Sequence, residues 1–233
     1  MRSSSAQVLS IKRRALAAVA TLTIVGGVSA AATGGASAAT PQCDQRCISV
    51  FSSELGVYGQ PNFVEAVLAG GAANVGQPVG LKAASRLDPS QDILPIQGMV
   101  SDFYDDGLVS AEANRHYGNL VAVQQKYAPF GIETELCVGL ARVKQNEGLT
   151  LQPCNSPTTV WIPHFGLATP SMYFPIINAA TTDFRHPFAM HLPRNEVVSG
   201  RPLQMQARRL QFRTGDKTLP PRQLWGVHEG VLN

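Results

Sequence analysis

Short apolar runs at regular intervals limit this chain to a narrow range of folds. Each run holds four to six apolar or β-branched residues and is bounded by Gly, Pro or Asn, a pattern typical of β-strands rather than helices. The runs form three sets of four, which start at Cys47, Phe63, Val79 and Ile93, at Leu120, Leu136, Leu149 and Thr159, and at Tyr173, Pro187, Leu203 and Gln223. Counted from the first start of each set, the offsets are 0, 16, 32 and 46, then 0, 16, 29 and 39, then 0, 14, 30 and 50, so the spacing recurs.

Twelve strands in three four-stranded units predict an all-β domain over residues 47–233, and specifically a β-trefoil. In a β-trefoil, paired strands close a six-stranded barrel and the remaining hairpins cap one end of it. An irregular β-sandwich built from the same strands is the alternative.

Two segments stand outside the repeat and are expected to form inserted loops. Residues 97–119 include several acidic positions and a short helix predicted over residues 110–116, whereas residues 208–221 are basic. Inserted loops lie on the surface and often carry function, so both segments are candidate contacts for a partner. The candidate residues are Asp102, Phe103, Tyr104, Arg208, Arg209 and Arg213. Solvated loops of opposite charge are the alternative interpretation.

The first 38 residues have the pattern of a secretory signal peptide. Arg2 and a basic run at residues 12–14 precede an apolar stretch at residues 15–28, and a tract of small residues ends at Ala38. Removing this leader takes away four of the 19 basic residues and none of the 16 acidic ones, which leaves 15 against 16 and changes the net charge from +3 to −1. The remaining domain therefore lacks the basic excess of a nucleic-acid-binding protein. A membrane anchor is the alternative for the leader. No later segment of the sequence is long and apolar enough to span a membrane.

Four cysteines follow the leader, and an even number in a secreted protein predicts two disulfide bonds. Three pairings are open. Cys43 and Cys47 lie together near a short N-terminal segment, residues 39–46, and Cys137 and Cys154 flank a turn between two apolar runs, so we favour these two local pairs. A zinc site is the alternative, but the cysteine spacing without a nearby His pair does not match zinc-ligand patterns.

The middle unit resembles the repeat of ricin-type β-trefoil lectins. Its second run reads Leu136-Cys137-Val138-Gly139-Leu140, a Gly-containing turn leads on to Cys154, and Trp161 follows seven residues later. The third unit keeps the closing Gln-x-Trp element as Gln223-Leu224-Trp225. The resemblance implies a ricin-like fold over roughly residues 47–227.

A large side chain at the closing position of each unit would fill the threefold axis of such a fold. Trp161 and Trp225 take this position in the second and third units, and the first unit has Leu94 there. These three residues are therefore predicted to be core residues. A surface platform that stacks on sugars is the alternative for either tryptophan.

In the ricin family, an Asp two residues after the first Cys accepts hydrogen bonds from sugar hydroxyls beside an aromatic ring. The matching positions here are Glu65, Gly139 and Met190, so only the first unit keeps a carboxylate. The resemblance therefore implies that a surviving sugar site would use Glu65, with Asn74 in the turn that follows. A solvated strand carboxylate without a ligand is the alternative for Glu65.

No pattern of residues in the sequence points to catalysis, a metal or a cofactor. The sequence has no Gly-x-Ser-x-Gly elbow, no His-Glu-x-x-His and no phosphate-binding Gly-x-x-x-x-Gly-Lys. The five histidines are scattered. The acidic run at residues 102–107 departs from the alternating ligands of an EF-hand, which favours a solvated turn with Phe103 and Tyr104 packed on the barrel over a calcium site. We therefore expect that the protein is not an enzyme.

These features predict a secreted, non-catalytic binding module that recognises a glycan or a cell-envelope component through a ricin-like β-trefoil. The alternative is an adaptor or structural subunit that docks another secreted protein in a multiprotein assembly, such as a toxin or lectin particle, because the scaffold remains while the family's sugar-binding carboxylates are lost. A protease inhibitor is a third interpretation, based on the basic residues beside prolines at residues 208–221. Nucleic acid is not an expected partner, and no membrane-spanning segment is expected in the domain.

Overall fold

The computed structural model describes residues 39–43, 46–55, 62–193, 203–213 and 218–229. The predicted signal peptide, residues 1–38, lies outside the described residues. Within these ranges, two short α-helices accompany the strands, α1 (Val100–Asp105) and α2 (Ala111–Tyr117). The strands are β1 (Ile48–Ser52), β2 (Phe63–Val67), β3 (Val79–Ala83), β4 (Ile93–Met99), β5 (Val121–Tyr127), β6 (Leu136–Leu140), β7 (Glu147–Pro153), β8 (Val160–Pro163), β9 (Ile176–Asn178), β10 (Phe188–His191), β11 (Leu203–Gln204), β12 (Gln206–Arg209) and β13 (Trp225–Glu229). The protein is therefore all-β with few helices.

Each of the twelve predicted strands is present and begins within three residues of its predicted start. The run that starts at Leu203 differs from the prediction because it forms two short strands, β11 and β12, on either side of Met205. The chain changes partner there, since β11 pairs with β3 whereas β12 pairs with β10 and β7. Met205 is buried, and its N–H donates to the carbonyl of Val79 at 3.0 Å.

Six strands pair in an order that returns to its starting point. β1 pairs with β4, β4 with β5, β5 with β8, and β8 with β9, all antiparallel. An antiparallel bridge joins Phe174, just before β9, to Trp225 at the start of β13, and β13 pairs with β1. These strands are the first and fourth of each predicted set, so the three units contribute equivalent strands to the circuit.

The second and third strands of each unit form a hairpin. β2 pairs with β3, β6 with β7, and β10 with β12. The third strands also meet one another, because β12 pairs with β7, β11 pairs with β3, and Pro78 before β3 bridges Thr150 in β7. The three hairpins are thus joined through their third strands.

The two tryptophans lie at matching places in the main hydrophobic core. Both side chains are fully buried. Each indole N–H donates to a backbone carbonyl of its own unit's hairpin, Trp161 to Val138 at 2.8 Å and Trp225 to Met190 at 3.0 Å. Neither ring is therefore available at the surface to stack on a sugar.

In the first unit, the sequence predicts Leu94 at the core position, but Ile93 occupies it. Ile93 is opposite Ile48 in the sheet, as Trp161 is opposite Val123, and it is buried in the same cluster as both tryptophans. Leu94 is partly buried against a separate small cluster beside the Cys43–Cys47 segment. Successive side chains of a strand point to opposite faces, so an error of one residue moves the side chain to the wrong face. The prediction for Leu94 is wrong for this reason.

Both local disulfide bonds form, Cys43–Cys47 and Cys137–Cys154. The second joins β6 to the residue that follows β7, so it closes the hairpin of the middle unit. None of the helices in the described part of the chain is long and apolar enough to cross a membrane.

The N-terminal segment is held by Asp92, which is fully buried just before β4. Its carboxylate accepts hydrogen bonds from the N–H of Thr40 at 2.8 Å, the hydroxyl of Thr40 at 2.6 Å and the N–H of Phe130 at 2.9 Å. Burial raises the pKa of the Asp92 carboxyl, although these hydrogen bonds oppose the increase. One side chain thus fixes both the N-terminal segment and the turn after β5.

The first inserted segment folds into α1 and α2, which pack on a second hydrophobic cluster. The predicted helix over residues 110–116 corresponds to α2, and the Ser110 hydroxyl caps it by accepting the N–H of Ala113 at 3.1 Å. The expectation of a turn is wrong for residues 100–105, because these form α1. Phe103 packs into the second cluster, as expected, whereas Tyr104 is exposed. Asp102 accepts the N–H of Met99 at 2.7 Å and so caps α1.

Candidate binding cleft

A cleft of about 310 Å³ opens where α2 runs into β5 and where β8 ends. Helix α2 and the residues after it contribute most of its lining, and the loop after β8 contributes one histidine. The lining residues are Asn114, Arg115, His116, Tyr117, Gly118, Asn119, Leu120 and His164. We refer to this feature as the α2 cleft.

Strand pairing brings the two parts of the α2 cleft together. β5 and β8 are antiparallel, with Val123 opposite Trp161. Leu120 and His164, which both line the cleft, lie within three residues of this pair. The start of β5 and the end of β8 therefore lie side by side, although the sequence separates them by more than forty residues.

Gly118 allows the chain to turn tightly from α2 towards β5. A Cβ atom at this position would lie 2.6 Å from the carbonyl oxygen of Asn114 and 2.7 Å from its Oδ1, which is too close for any side chain. The Gly118 N–H donates to the carbonyl of Asn114 at 2.7 Å, and the Gly118 carbonyl accepts the N–H of Ser101 at 3.3 Å. These contacts fix the end of α2 against the start of α1.

Aromatic rings form one side of the α2 cleft. The His116 ring stacks on Phe184 with the centroids 4.2 Å apart and an interplanar angle of 12°. Tyr117 packs 5.7 Å from Phe184 and meets the His164 ring edge-on at 6.4 Å. Burial, with a smaller contribution from the charge of Asp183, raises the pKa of the Tyr117 hydroxyl. Tyr117 therefore stays neutral across the physiological pH range.

His164 is the member of the cleft with an unusual polar environment. Its Nδ1 is buried and has no hydrogen-bond partner, and a Cβ on Gly166 would lie 3.4 Å from this nitrogen. A buried N–H without an acceptor costs free energy, so the neutral tautomer with its proton on Nε2 is favoured. His164 then has an N–H donor on the other edge of its ring.

Among the described residues, the lining of the α2 cleft includes the guanidinium of Arg115, whereas the carboxylates of Glu112 and Asp183 lie near the cleft without lining it. None of its eight lining residues is acidic. Arg115 lies 3.7 Å from Glu112 one helical turn away, with 73% of its side chain exposed and 57% of the side chain of Glu112 exposed. An ion pair this exposed contributes little free energy, so the guanidinium can change partner at small cost.

The structure places Glu65 in the hydrophobic core. The residue is 1% exposed, and neither carboxylate oxygen has a hydrogen-bond partner. Burial raises the pKa of Glu65 to about 8. The interpretation as a solvated strand carboxylate is therefore wrong. Asn74 is exposed in the turn before β3, so Glu65 and Asn74 do not present a joint surface to a ligand.

The strand register explains why Glu65 is buried. Glu65 is opposite Leu81, Val138 is opposite Leu151, and Met190 is opposite Ala207. Apart from Glu65 itself, all of these residues belong to the main core cluster. The residue that matches Glu65 in the second unit is therefore Val138 and not Gly139, as the sequence resemblance implied. Glu65 occupies a core position of the repeat.

The predicted partner-binding residues are divided among different environments. Asp102 caps α1, Phe103 is buried, and Tyr104 is partly exposed on α1. Arg208 and Arg209 belong to β12 rather than to a loop. Arg209 pairs with Asp183 and lies over the ring of Phe188, and Arg208 lies 3.4 Å from Nε2 of His191. Arg213 is exposed after β12.

One group of potential metal ligands comes together in the described ranges, namely Cys43, Cys47 and Asp92. The two sulfur atoms are joined in a disulfide, so they are not thiolates that could bind zinc. The Asp92 oxygens already accept three hydrogen bonds from the protein. This cluster is therefore a structural contact of the N-terminal segment.

The sequence prediction missed the α2 cleft because its two halves are distant in the chain. His116 and His164 were interpreted as scattered histidines. The available signal was indirect, since His116 lies in an inserted segment and His164 follows the strand that carries Trp161. Only the pairing of β5 with β8 brings them to one place.

Comparison with known proteins gives no family for this chain. No family model matches it, and no curated protein matches it. Among solved structures, it is similar to a chain of a mosquitocidal holotoxin, with 8% sequence identity and a TM-score of 0.48. The similarity covers 78% of this chain and 17% of the holotoxin chain, so this protein spans a small part of that neighbour's length. A likeness of this degree does not identify a shared function.

Proposed function

We propose that this protein is a secreted, non-catalytic binding module that recognises a glycan or a cell-envelope component through the α2 cleft. The cleft itself is the observation that carries the proposal. It is lined by amides, imidazoles, a guanidinium and a phenol ring, which are the groups that hydrogen-bond and stack on sugars. It is built mainly from a segment that stands outside the repeated strands, where functional residues are commonly found.

A β-trefoil scaffold similar to that of ricin-type lectins is part of the same proposal. The six strands whose pairing returns to its start, and the three hairpins joined through their third strands, support it. The matching hydrogen bonds of Trp161 and Trp225 to Val138 and Met190 support a repeat of equivalent units. The pattern of residues 1–38 and the two disulfides support secretion.

The test is binding of the purified protein to isolated cell walls and to a glycan array, with two matched variants. Asn119 is exposed at the α2 cleft, and Asn74 is exposed in the turn that the sequence assigned to a sugar site. We expect Asn119→Ala to weaken binding at least fivefold and Asn74→Ala to leave it unchanged, with both variants as stable as the wild type. Wild-type protein that binds neither material would refute the proposal.

A second candidate function is an adaptor that docks another secreted protein. The turn after β5 favours it, because Phe130 has a positive φ of 55° and Ile132 and Phe130 are 69% and 52% exposed. A non-glycine residue with positive φ is held there by its surroundings, in this case by the bond from its N–H to Asp92. Co-purification of a partner from culture medium that is lost in a Phe130→Ser, Ile132→Ser variant would support the adaptor. For the inhibitor interpretation, Arg208 and Arg209 lie in β12, whereas Arg213 is exposed after that strand and residues 214–217 lie outside the described residues.

A further inference from the structure

The chemistry of the α2 cleft specifies the ligand more narrowly than the proposed function does. We propose that the cleft binds a saccharide or polyol unit that carries an anionic group, a carboxylate or a phosphate, and that Arg115 contacts this group. This inference rests on the proposed function, because it assigns the ligand class of the same site.

The described lining of the α2 cleft has no acidic residue. Sugar hydroxyls donate hydrogen bonds, and a carboxylate is a strong acceptor for them. The eight residues of the α2 cleft include no carboxylate, and the one carboxylate that matched this role by sequence, Glu65, is buried in the core. The cleft therefore lacks the acceptor on which that mode of recognition depends.

The donors of the cleft include a guanidinium that is open to solvent. Arg115 is mostly exposed, and the carboxylate of Glu112, 3.7 Å away, is also exposed. His164 has its buried Nδ1 unpartnered, which leaves Nε2 as its donor. A planar guanidinium matches the geometry of a carboxylate or phosphate and can form two parallel hydrogen bonds with it. These groups favour a negatively charged ligand.

Another part of the lining can bind hydroxyl groups. Asn119 and Asn114 each have an amide that can both donate and accept, and Tyr117 places a neutral ring beside them. A simple inorganic anion would leave these groups without a partner. A ligand that carries both hydroxyls and an anion uses the amides as well as Arg115.

The experiment is calorimetric titration of the full secreted protein with small anionic and neutral probes. D-Glucuronate and glycerol 3-phosphate test the two anionic groups, D-glucose and glycerol are their neutral counterparts, and inorganic phosphate tests the anion alone. The variants are Arg115→Gln, Arg115→Lys and the control Arg142→Gln, an exposed arginine in the turn between β6 and β7. Melting temperature shows that each variant is folded.

We expect at least one anionic probe to bind at least tenfold more tightly than its neutral counterpart, since a charge-assisted hydrogen bond is worth about 1.5–3 kcal/mol. Arg115→Gln should abolish this preference, Arg115→Lys should keep part of it, and Arg142→Gln should keep all of it. The probe that binds shows whether the anionic group is a carboxylate or a phosphate.

Three results would overturn the inference. They are equal affinity for anionic and neutral probes, a preference that survives in Arg115→Gln, and inorganic phosphate binding as tightly as glycerol 3-phosphate. If cell walls or glycans are still bound through Asn119 in any of these cases, the proposed function stands and only the ligand class is wrong. If no cell wall, glycan or probe binds, both proposals fail.

Discussion

The first and second units have equivalent strands but hold their hairpins together differently. In the second unit, the Cys137–Cys154 disulfide closes the hairpin, and the indole of Trp161 donates to the carbonyl of Val138. The first-unit hairpin has no cysteine, and Ile93 at the tryptophan position has no N–H on its side chain. Its core position carries Glu65 in place of Val138.

This difference shows that equivalent positions of the repeat are buried even where the residue types differ. Both hairpins pair over five residues, so their main-chain groups are satisfied in either unit. The fold can therefore bury a carboxyl group at a place where its equivalents are apolar. We expect the second unit to contribute more stability and the first unit to make the protein sensitive to pH.

The largest effect should follow from Trp161→Ala. We expect a loss of about 5 kcal/mol in the free energy of unfolding, at the upper end for truncation of a buried aromatic side chain, because the carbonyl of Val138 also loses its donor. Urea unfolding of the oxidised protein measures this loss. Ile93→Ala is the matched change in the first unit and should cost less, so an equal cost would remove the contrast between the units.

A pH series should show the effect of Glu65. Its pKa is about 8 in the folded protein and 4.5 as a free side chain, so folding favours the protonated form. The favourable contribution is complete below pH 4.5 and is lost as the pH rises to about 8. Above pH 8 this loss approaches roughly 5 kcal/mol, since one pKa unit is about 1.4 kcal/mol.

Glu65→Val, which copies Val138, should flatten this pH dependence and raise the melting temperature at pH 9. Glu65→Gln keeps the shape without the charge and serves as the control, so it should flatten the curve as well. Wild-type protein whose stability is constant between pH 5 and pH 9 would contradict the assignment of a buried, unpaired carboxyl.

Replacing Cys137 and Cys154 together by Ser should destabilise the protein by about 3 kcal/mol. The bond closes a loop with a sequence separation of 17, and in the chain-entropy model its removal restores freedom mainly to the unfolded state. Denaturant unfolding under non-reducing conditions measures the change. If the cost is negligible, strand pairing alone holds the second hairpin, as it does the first.

The smallest effect should come from Asp92→Asn, which tests the anchor of the N-terminal segment. Three charge-assisted hydrogen bonds become weaker or unsatisfied, and we expect a loss of about 1–2 kcal/mol. Proteolysis near Thr40 should become faster at the same time. Unchanged stability and unchanged proteolysis would show that the Cys43–Cys47 bond suffices to hold this segment.

The sequence allowed the local features of this protein to be predicted. Strand positions follow from the spacing of apolar runs, and α2 follows from Ser110 and the residues after it. The local disulfides follow from cysteines that are neighbours in one segment or one hairpin. Each of these depends on interactions between residues close together in the chain, so a single sequence contains enough information to place them.

The tertiary structure alone decided which side chains meet and which face they occupy. Glu65 is buried and Ile93 rather than Leu94 fills the core because strand register, which is set by partners in other strands, assigns each residue to one face. The α2 cleft exists because β5 pairs with β8 and brings His164 beside α2. Local patterns define which segments become strands, whereas the pairing between distant strands creates the surface on which a ligand can bind.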